Sequence, residues 1–492
     1  MHRCLQIAEL FDAVCKRVLA TGHHGSLAAL CRTCRLFHEP ALNILYKSLE
    51  SLRPLMFCVP AIVTIGNKIT TFKELCLSDW QRMQYYAKRV HSLRVNDQEE
   101  IVIDKTILHA LAASSFAPPM FTHLKRLWWS NNSADALPLL CSLVSPRLEW
   151  LILHDMDPML LPPVVPPHHL YQLSSHRSLR NLKNLVCGLI NDATLYYLAT
   201  SSRLTHLTIQ VDEKNDYGAL MKLAGQPVFT ILQGLDITAA RTFHCIPILG
   251  ISELPSLRSL RIHSTETGLT DAELHQCFCL ISRHCPNLRD LHMKELQVSP
   301  PKFPVGYIIT FDILNTLFSL RHLEALHLDT TCTFSLNDKE LAQLAGTWLK
   351  LRALELGTEN GWRQPSKITL QGFAELLRRC PVLSVVGLAM NAWAPDIDHR
   401  RPGGGTRRNG LEILRVADSK VTGPLSVAAF LSDIVPNAEI TGYEIGCDIY
   451  ETFNTRMLYR ERWEEVSVLH PLLVNLRRQE SVGLGSDEYS RD

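Results

Sequence analysis

The chain has 492 residues, enough for two or three ordinary domains or for one elongated repeat array. Its 50 lysines and arginines nearly balance 49 aspartates and glutamates, and the formal net charge of +1 lacks the basic excess of a protein that lives on nucleic-acid phosphates. Fifteen cysteines, an odd number without framework spacing, fit free buried thiols in a reducing compartment rather than disulfides.

The opening MHRCLQIAELFDAVCKRVLA carries Glu9, Asp12, Lys16 and Arg17 where a signal peptide would be apolar, and no apolar run reaches the roughly 18 residues of a membrane span. The expectation is a soluble protein of the cytoplasm or nucleus, with neither a membrane nor a nucleic acid as partner. Within the opening, Leu5, Ile7, Leu10, Phe11, Val14 and Val18 form a helical stripe that the breaker TGHHG closes. After Ser26 as a cap, Leu27, Leu30, Cys31, Cys34 and Phe37 share one face of a second helix, and Pro40 opens a third, ALNILYKSLE. Such a three-helix unit is small enough to want a partner. Cys31 and Cys34 form a C-x-x-C pair, but both belong to the apolar stripe, which favours core over a redox or zinc pair.

Further along, a six-residue pattern recurs: LKRLWW (Leu124), LEWLIL (Leu148), LKNLVC (Leu182), LTHLTI (Leu204), LQGLDI (Leu232), LRSLRI (Leu257), LRDLHM (Leu288), LEALHL (Leu323), LRALEL (Leu351), LSVVGL (Leu383) and LEILRV (Leu411), with VHSLRV (Val90) ahead of them. The spacing averages about 29 residues, the upper end of the leucine-rich-repeat range. Each short strand turns one apolar row inward that only stacked neighbours cover. Helices between the strands begin alike, at Ile190, Leu269, Leu336 and Ile368, and Thr270 with Glu273 and Asn337 with Glu340 have the spacing of capping pairs.

One of these helices holds three histidines (His275, His284, His292) and three cysteines (Cys277, Cys279, Cys285) between Leu269 and Met293, which raises the question of a metal. Leu274, Cys277, Phe278, Ile281 and Cys285 follow the spacing of one buried face, whereas His275 and Cys279 lie on another, so no face collects four ligands. Aligned on the following strand, Cys285 corresponds to Trp348 and to Cys380, a slot for any bulky or soft apolar side chain rather than for a zinc ligand. The expectation is no metal and no cofactor.

The residues between the buried strand positions face outward, and their middle column reads Trp128, Ile152, Thr208, Asp236, Arg261, His292, His327, Glu355, Gly387 and Arg415. Trp128, Trp150 and Ile152 make an apolar cluster of the kind that partners cover, unless another segment of the chain does so. With Arg261, His292, His327 and Glu355 they are the candidate substrate-binding residues. Two loops interrupt the array. The proline-rich Asp157–Leu173 stretch reads as a surface loop before a polyproline ligand, and the basic Asp398–Gly410 stretch lacks the ending of a phosphate loop. No G-x-S-x-G, H-E-x-x-H or Walker sequence occurs, so no catalytic residue is assigned and the chain is not expected to be an enzyme.

The amino-terminal unit, with LQIAEL, CRTCRLF and LYKSL, resembles an F-box, although Gln6 stands where proline is usual and Tyr46 where tryptophan is usual. The stretches Ser78–Val95 and Arg462–Glu480 look like those flanking the repeats in F-box proteins of mushroom-forming fungi. The resemblance implies a substrate-recognition subunit of an SCF-type ubiquitin ligase, whose F-box docks a Skp-type adaptor and through it cullin and RING subunits while the repeats hold a protein substrate. By residue type it carries Leu5, Ile7, Leu10, Phe11, Leu27, Leu30, Phe37, Leu45 and Tyr46 over to the adaptor interface or the F-box core, without separating the two roles. The alternatives are a leucine-rich-repeat scaffold whose degenerate F-box no longer docks, or a helical unit that only caps the array. The predicted architecture is α/β: an F-box-like unit over 1–50, a helical connector over 51–89, a leucine-rich-repeat solenoid in a horseshoe over 90–440 with parallel strands inside and helices outside, a helical cap over 441–480 and a disordered tail over 481–492.

Overall fold

The computed structural model describes residues 7–96, 102–113, 120–130, 134–145, 147–153, 181–190, 192–200, 203–211, 217, 226, 228–250, 253–266, 270–296, 307–393, 406–442 and 453–487. Leu5, the Asp157–Leu173 stretch and residues 398–405 of the basic loop lie outside these. The chain is mixed α/β, built on parallel strands with helices between them, and divides into two compact units, Met1–Ile209 and Gln210–Asp492.

In the first unit three helices lead: α1 (Ala8–Ala20), α2 (His24–Thr33) and α3 (Arg35–Leu45). Cys34 is extended, with φ −158° and ψ 163°, and breaks α2 from α3, so the third helix starts at Arg35 and contains Pro40 rather than opening on it. Strand β1 (Ser48–Leu49) pairs in parallel with β4 (Ser92–Val95), which places the first strand of the parallel array inside the stretch assigned by sequence to the F-box-like unit. The connector is not wholly helical. Between the helices Arg53–Met56 and Leu77–Ala87 it folds β2 (Ile62–Ile65) and β3 (Lys68–Thr71) into an antiparallel hairpin. Seven β-branched residues flank Gly66, whose φ of +61° a turn there requires, and β5 (Val102–Ile103) adds to β3 in parallel. The ladder continues from β4 through β6 (Arg126–Trp129) and β7 (Trp150–Leu153) to β8 (Asn184–Leu189), all in parallel pairs, and β9 (His206–Val211) follows β8 in the order.

The second unit carries a longer parallel ladder. Its strands are β10 (Gly234–Ala239), β11 (Ser259–Ser264), β12 (Asp290–Glu295), β14 (Ala325–Asp329), β16 (Ala353–Leu356), β17 (Val385–Gly387), β19 (Ile413–Arg415) and β21 (Glu439–Thr441). Beside it run two short parallel pairs, β13 (Ile308–Thr310) with β15 (Thr333–Ser335) and β18 (Asn391–Ala392) with β20 (Lys420–Val421). Register puts Leu235, Leu260, Leu291, Leu326, Leu354, Val386 and Leu414 in one row, all buried. Each such side chain, taken fully from water, contributes about 1.5–3 kcal/mol.

The helices join this core as their capping predicts. Thr270 accepts a hydrogen bond from the amide of Glu273 while Glu273 accepts one from the amide of Thr270, and Asn337 and Glu340 repeat the exchange. In the helix Asp271–His284 the residues Leu274, Cys277, Phe278 and Ile281 are buried, while His275 and Cys279 are exposed. Cys285, Trp348 and Cys380 occupy equivalent places: each is a helix C-cap, each is fully buried, and each backbone carbonyl accepts from the leucine three residues on. The final helix, Phe453–Asp487, runs past Ser481, where the sequence suggested a disordered tail. It is anchored by Trp463, whose indole donates to the Ser419 carbonyl at 2.8 Å, and by buried Val466, His470 and Val474.

Candidate functional site

The first candidate site is the helical unit at the amino terminus. Phe11 of α1 stacks on Phe37 of α3 with ring centroids 4.1 Å apart and 13° between planes, and Cys15, Leu27, Cys31, Ala41, Leu42 and Ile44 complete the core. Burial raises the thiols of both Cys15 and Cys31, as expected of core cysteines rather than of reactive ones. With this core satisfied, Leu10 and Val14, four residues apart on one face of α1, and Ile7 at its N-cap remain outside it, 48%, 43% and 49% exposed. Leu36, at the start of α3, is also exposed.

The structure thereby separates the predicted adaptor-binding residues. Phe11, Leu27 and Phe37 are core, Leu30, Leu45 and Tyr46 pack partly buried against it, and Ile7 and Leu10 face out. Val14 and Leu36 belong with the outward group and were not among the candidates; Val14 follows Leu10 by four residues on α1, a spacing visible in the sequence. Tyr46 is turned inward, its ring 4.8 Å from Tyr86 and its hydroxyl 3.4 Å from Cys58 Sγ, and burial followed by that contact pushes the phenol well above its ordinary range. The unit is fixed to the helix Leu77–Ala87 through Glu39. Its carboxylate accepts from the Tyr85 hydroxyl at 2.6 Å and pairs with the buried guanidinium of Arg89 at 2.5 Å, and these two bonds, Tyr85 first, hold the carboxyl below its usual range.

The second candidate site is the outward face of the strands. In the second unit register aligns Asp236, Arg261, His292, His327, Glu355, Gly387 and Arg415. His327 Nδ1 and a Glu355 carboxylate oxygen are 2.8 Å apart, and Arg415 reaches the other oxygen at 3.4 Å. That second bond passes over Gly387, where a Cβ would lie 2.2 Å from Thr358 Cγ2 and 3.2 Å from Glu355 Cγ. Glu355 was expected on the exposed column, but at 9% exposure it is buried, covered by the partners it holds. Burial pushes its carboxyl up, yet the His327 hydrogen bond and the charges of His327 and Arg415 outweigh that and leave it below the ordinary range.

His292 lies between His263 and His327, its ring 5.4 Å from each. Burial, then the neighbouring charges of His263, His327, Arg261 and Lys294, lowers its pKa to about 4. The unfolded chain binds this proton near pH 6.5, so acidification from 6.5 towards 4 favours the unfolded state, and the stability His292 contributes when neutral is fully present only above that window. Thermal melts of His292→Asn should therefore lose less midpoint temperature between pH 7 and pH 5 than those of the unsubstituted chain; equal losses would remove His292 from the acid response. At the end of the row His263 stands 3.6 Å from Asp236, and burial drives both towards their neutral forms.

In the first unit the same face has an apolar centre. Arg94, Trp128, Ile152 and Val186 align across β4, β6, β7 and β8, with Ser92, Arg126, Trp150 and Asn184 in the row beside them. Trp150 is 38% exposed. The predicted substrate-binding residues thus fall into two groups, Trp128, Trp150 and Ile152 on the first unit and Arg261, His292, His327 and Glu355 on the second.

No protein-family model matches the chain, and no curated protein matches it in sequence. Among solved structures it is similar to a chain in the crystal structure of the Rad7 and Elc1 complex in yeast, at 14% identity and a TM-score of 0.35, over 71% of this chain and 86% of that one. A superposition that loose assigns neither a partner nor an activity.

Proposed function

We propose that this chain is the substrate-recognition subunit of an SCF-type ubiquitin ligase: α1–α3 dock a Skp-type adaptor, cullin and RING subunits join through it, and the outward face of the strands holds a protein substrate. The chain needs no cofactor and does no chemistry of its own in this reading, which places it in the cytoplasm or nucleus with the rest of the ligase. The observation that carries it is the line Ile7, Leu10 and Val14, left exposed by a helical unit whose core is already complete. A unit serving only to cap the array would present a polar outer face, whereas this one presents three large apolar side chains in a row. Glu39, Tyr85 and Arg89 hold the unit against its neighbouring helix, as a docking element needs.

Co-purification of the full chain with the Skp-type adaptor of its own host tests the reading. Leu10→Asp should weaken capture by at least about tenfold, the scale of an interface hot spot, with an unchanged circular dichroism spectrum because Leu10 is outside the core. Phe11→Ala should lose helical structure and capture together. A folded, unsubstituted chain that captures no adaptor would leave the leucine-rich-repeat scaffold with a non-docking F-box as the remaining reading.

A further inference from the structure

We propose that the outward face of β4, β6, β7 and β8 binds an extended acidic peptide segment that carries aromatic or aliphatic side chains. The inference rests on the preceding reading only in calling that peptide part of a substrate. Trp128, Ile152 and Val186 form an unbroken apolar stripe over three strands spaced about 4.8 Å apart. Two cations lie over the indole rings: the Arg94 guanidinium 5.9 Å from Trp128 and that of Arg126 5.5 Å from Trp150. A guanidinium stacked on a ring keeps N–H donors free for a carboxylate, and tryptophan with arginine is the pairing most enriched where binding energy concentrates.

Charge selects the occupant. Lys125 and Lys183, each just ahead of its strand and beyond the row of Arg126 and Trp150, share one carboxylate, Glu149, at 3.4 and 2.9 Å. Arg94 pairs at 3.3 Å with Glu50, whose side chain is 77% exposed, a contact of little energy. Arg126 has no carboxylate within ion-pair distance among the described residues. Among the described residues the face therefore sets four cations against two anions around an apolar centre, on a chain whose overall charge is +1. It is not the ordinary surface of a repeat: in the second unit the aligned row is polar and satisfies itself through His327, Glu355 and Arg415.

The test uses the full chain and fluorescein-labelled peptides, one of glutamates interspersed with phenylalanine and leucine and one with lysine in place of each glutamate, followed by fluorescence anisotropy. The glutamate peptide should bind at least about tenfold more tightly than the lysine peptide and weaken as salt rises. Trp128→Ala and Arg126→Glu should each cost about tenfold or more, while Leu10→Asp should leave peptide binding unchanged. Equal binding of the two peptides, or indifference to both face substitutions, overturns the proposal. So does tighter binding of a single-stranded oligonucleotide that competes with the peptide, or self-association of the chain that Trp128→Ala abolishes. Failure of the unsubstituted chain to capture the adaptor while it still binds the peptide would sink the ligase reading alone, and adaptor capture without peptide binding would sink this one alone.

Discussion

Trp348→Ala should destabilise the second unit by about 3–5 kcal/mol, the range for removing a large aromatic side chain from a closed core. Trp348 is fully buried at the C-cap of the helix Asp338–Thr347, and Phe318 meets its ring edge-on at 5.5 Å and 80°. Its carbonyl accepts from the Leu351 amide at 3.0 Å and so starts the turn into β16. The loss therefore combines transfer of the indole with a cavity at the joint between helix and strand. Trp348→Phe should cost no more than about a third as much, because the indole nitrogen finds no acceptor among the described residues and its removal relieves a buried unpaired donor. Guanidinium unfolding followed by circular dichroism measures both. A Trp348→Ala cost below about 1 kcal/mol would mean that the slot collapses without harm.

Gly372→Ala should also be strongly unfavourable, although alanine is the better helix former. Gly372 lies in the first turn of the helix Leu370–Arg379, and a Cβ there would stand 2.0 Å from an oxygen of Asp338. That carboxylate belongs to the start of the preceding repeat's helix. It accepts from the Thr369 amide at 2.8 Å and from the Thr369 hydroxyl at 2.7 Å, while the same hydroxyl caps Gly372 N at 3.2 Å. Evicting it forfeits two hydrogen bonds to a charged group, about 1.5–3 kcal/mol each, against about 1 kcal/mol of helix propensity gained. A net loss of about 2–5 kcal/mol is expected from the single substitution. In an Asp338→Gly background, which also removes the Cβ that would lie 3.1 Å away, the same change should become stabilising by up to about 1 kcal/mol, and a double-mutant cycle without that change of sign would refute the steric account.

The parallel array was legible because its determinants are local. The apolar-x-x-apolar-x-apolar strands bury alternate residues, Thr270 and Asn337 cap their helices within three residues, and Cys285, Trp348 and Cys380 align from one repeat to the next. What stayed hidden depends on distant neighbours. Leu10 and Val14 share the stripe of Phe11 in the sequence, but Phe37 stacks on Phe11, and Cys15, absent from the expected stripe, takes the inward place. Glu355 has the position of an exposed residue and is buried because His327, 28 residues before it, and Arg415, 60 after, close over it across the gap at Gly387. The hairpin after the amino-terminal helical unit is legible in the β-branched run Ile62–Thr71, which a helical connector does not explain. The pairing of Ser48–Leu49 with Ser92–Val95 was not legible, since a two-residue strand carries no period of its own.

The buried thiols have a consequence for how opening of this chain can be followed. Burial pushes Cys187, Cys277, Cys285 and Cys332 up to about 12 and Cys380 up to about 11, whereas Cys76 and Cys279 lie at the surface. Alkylation requires both access and the thiolate, so each inner cysteine stays silent until its own stretch of backbone lets water in. The mortar of the repeats thereby doubles as a row of built-in clocks, each timing the breathing of one segment without any cysteine having to be introduced.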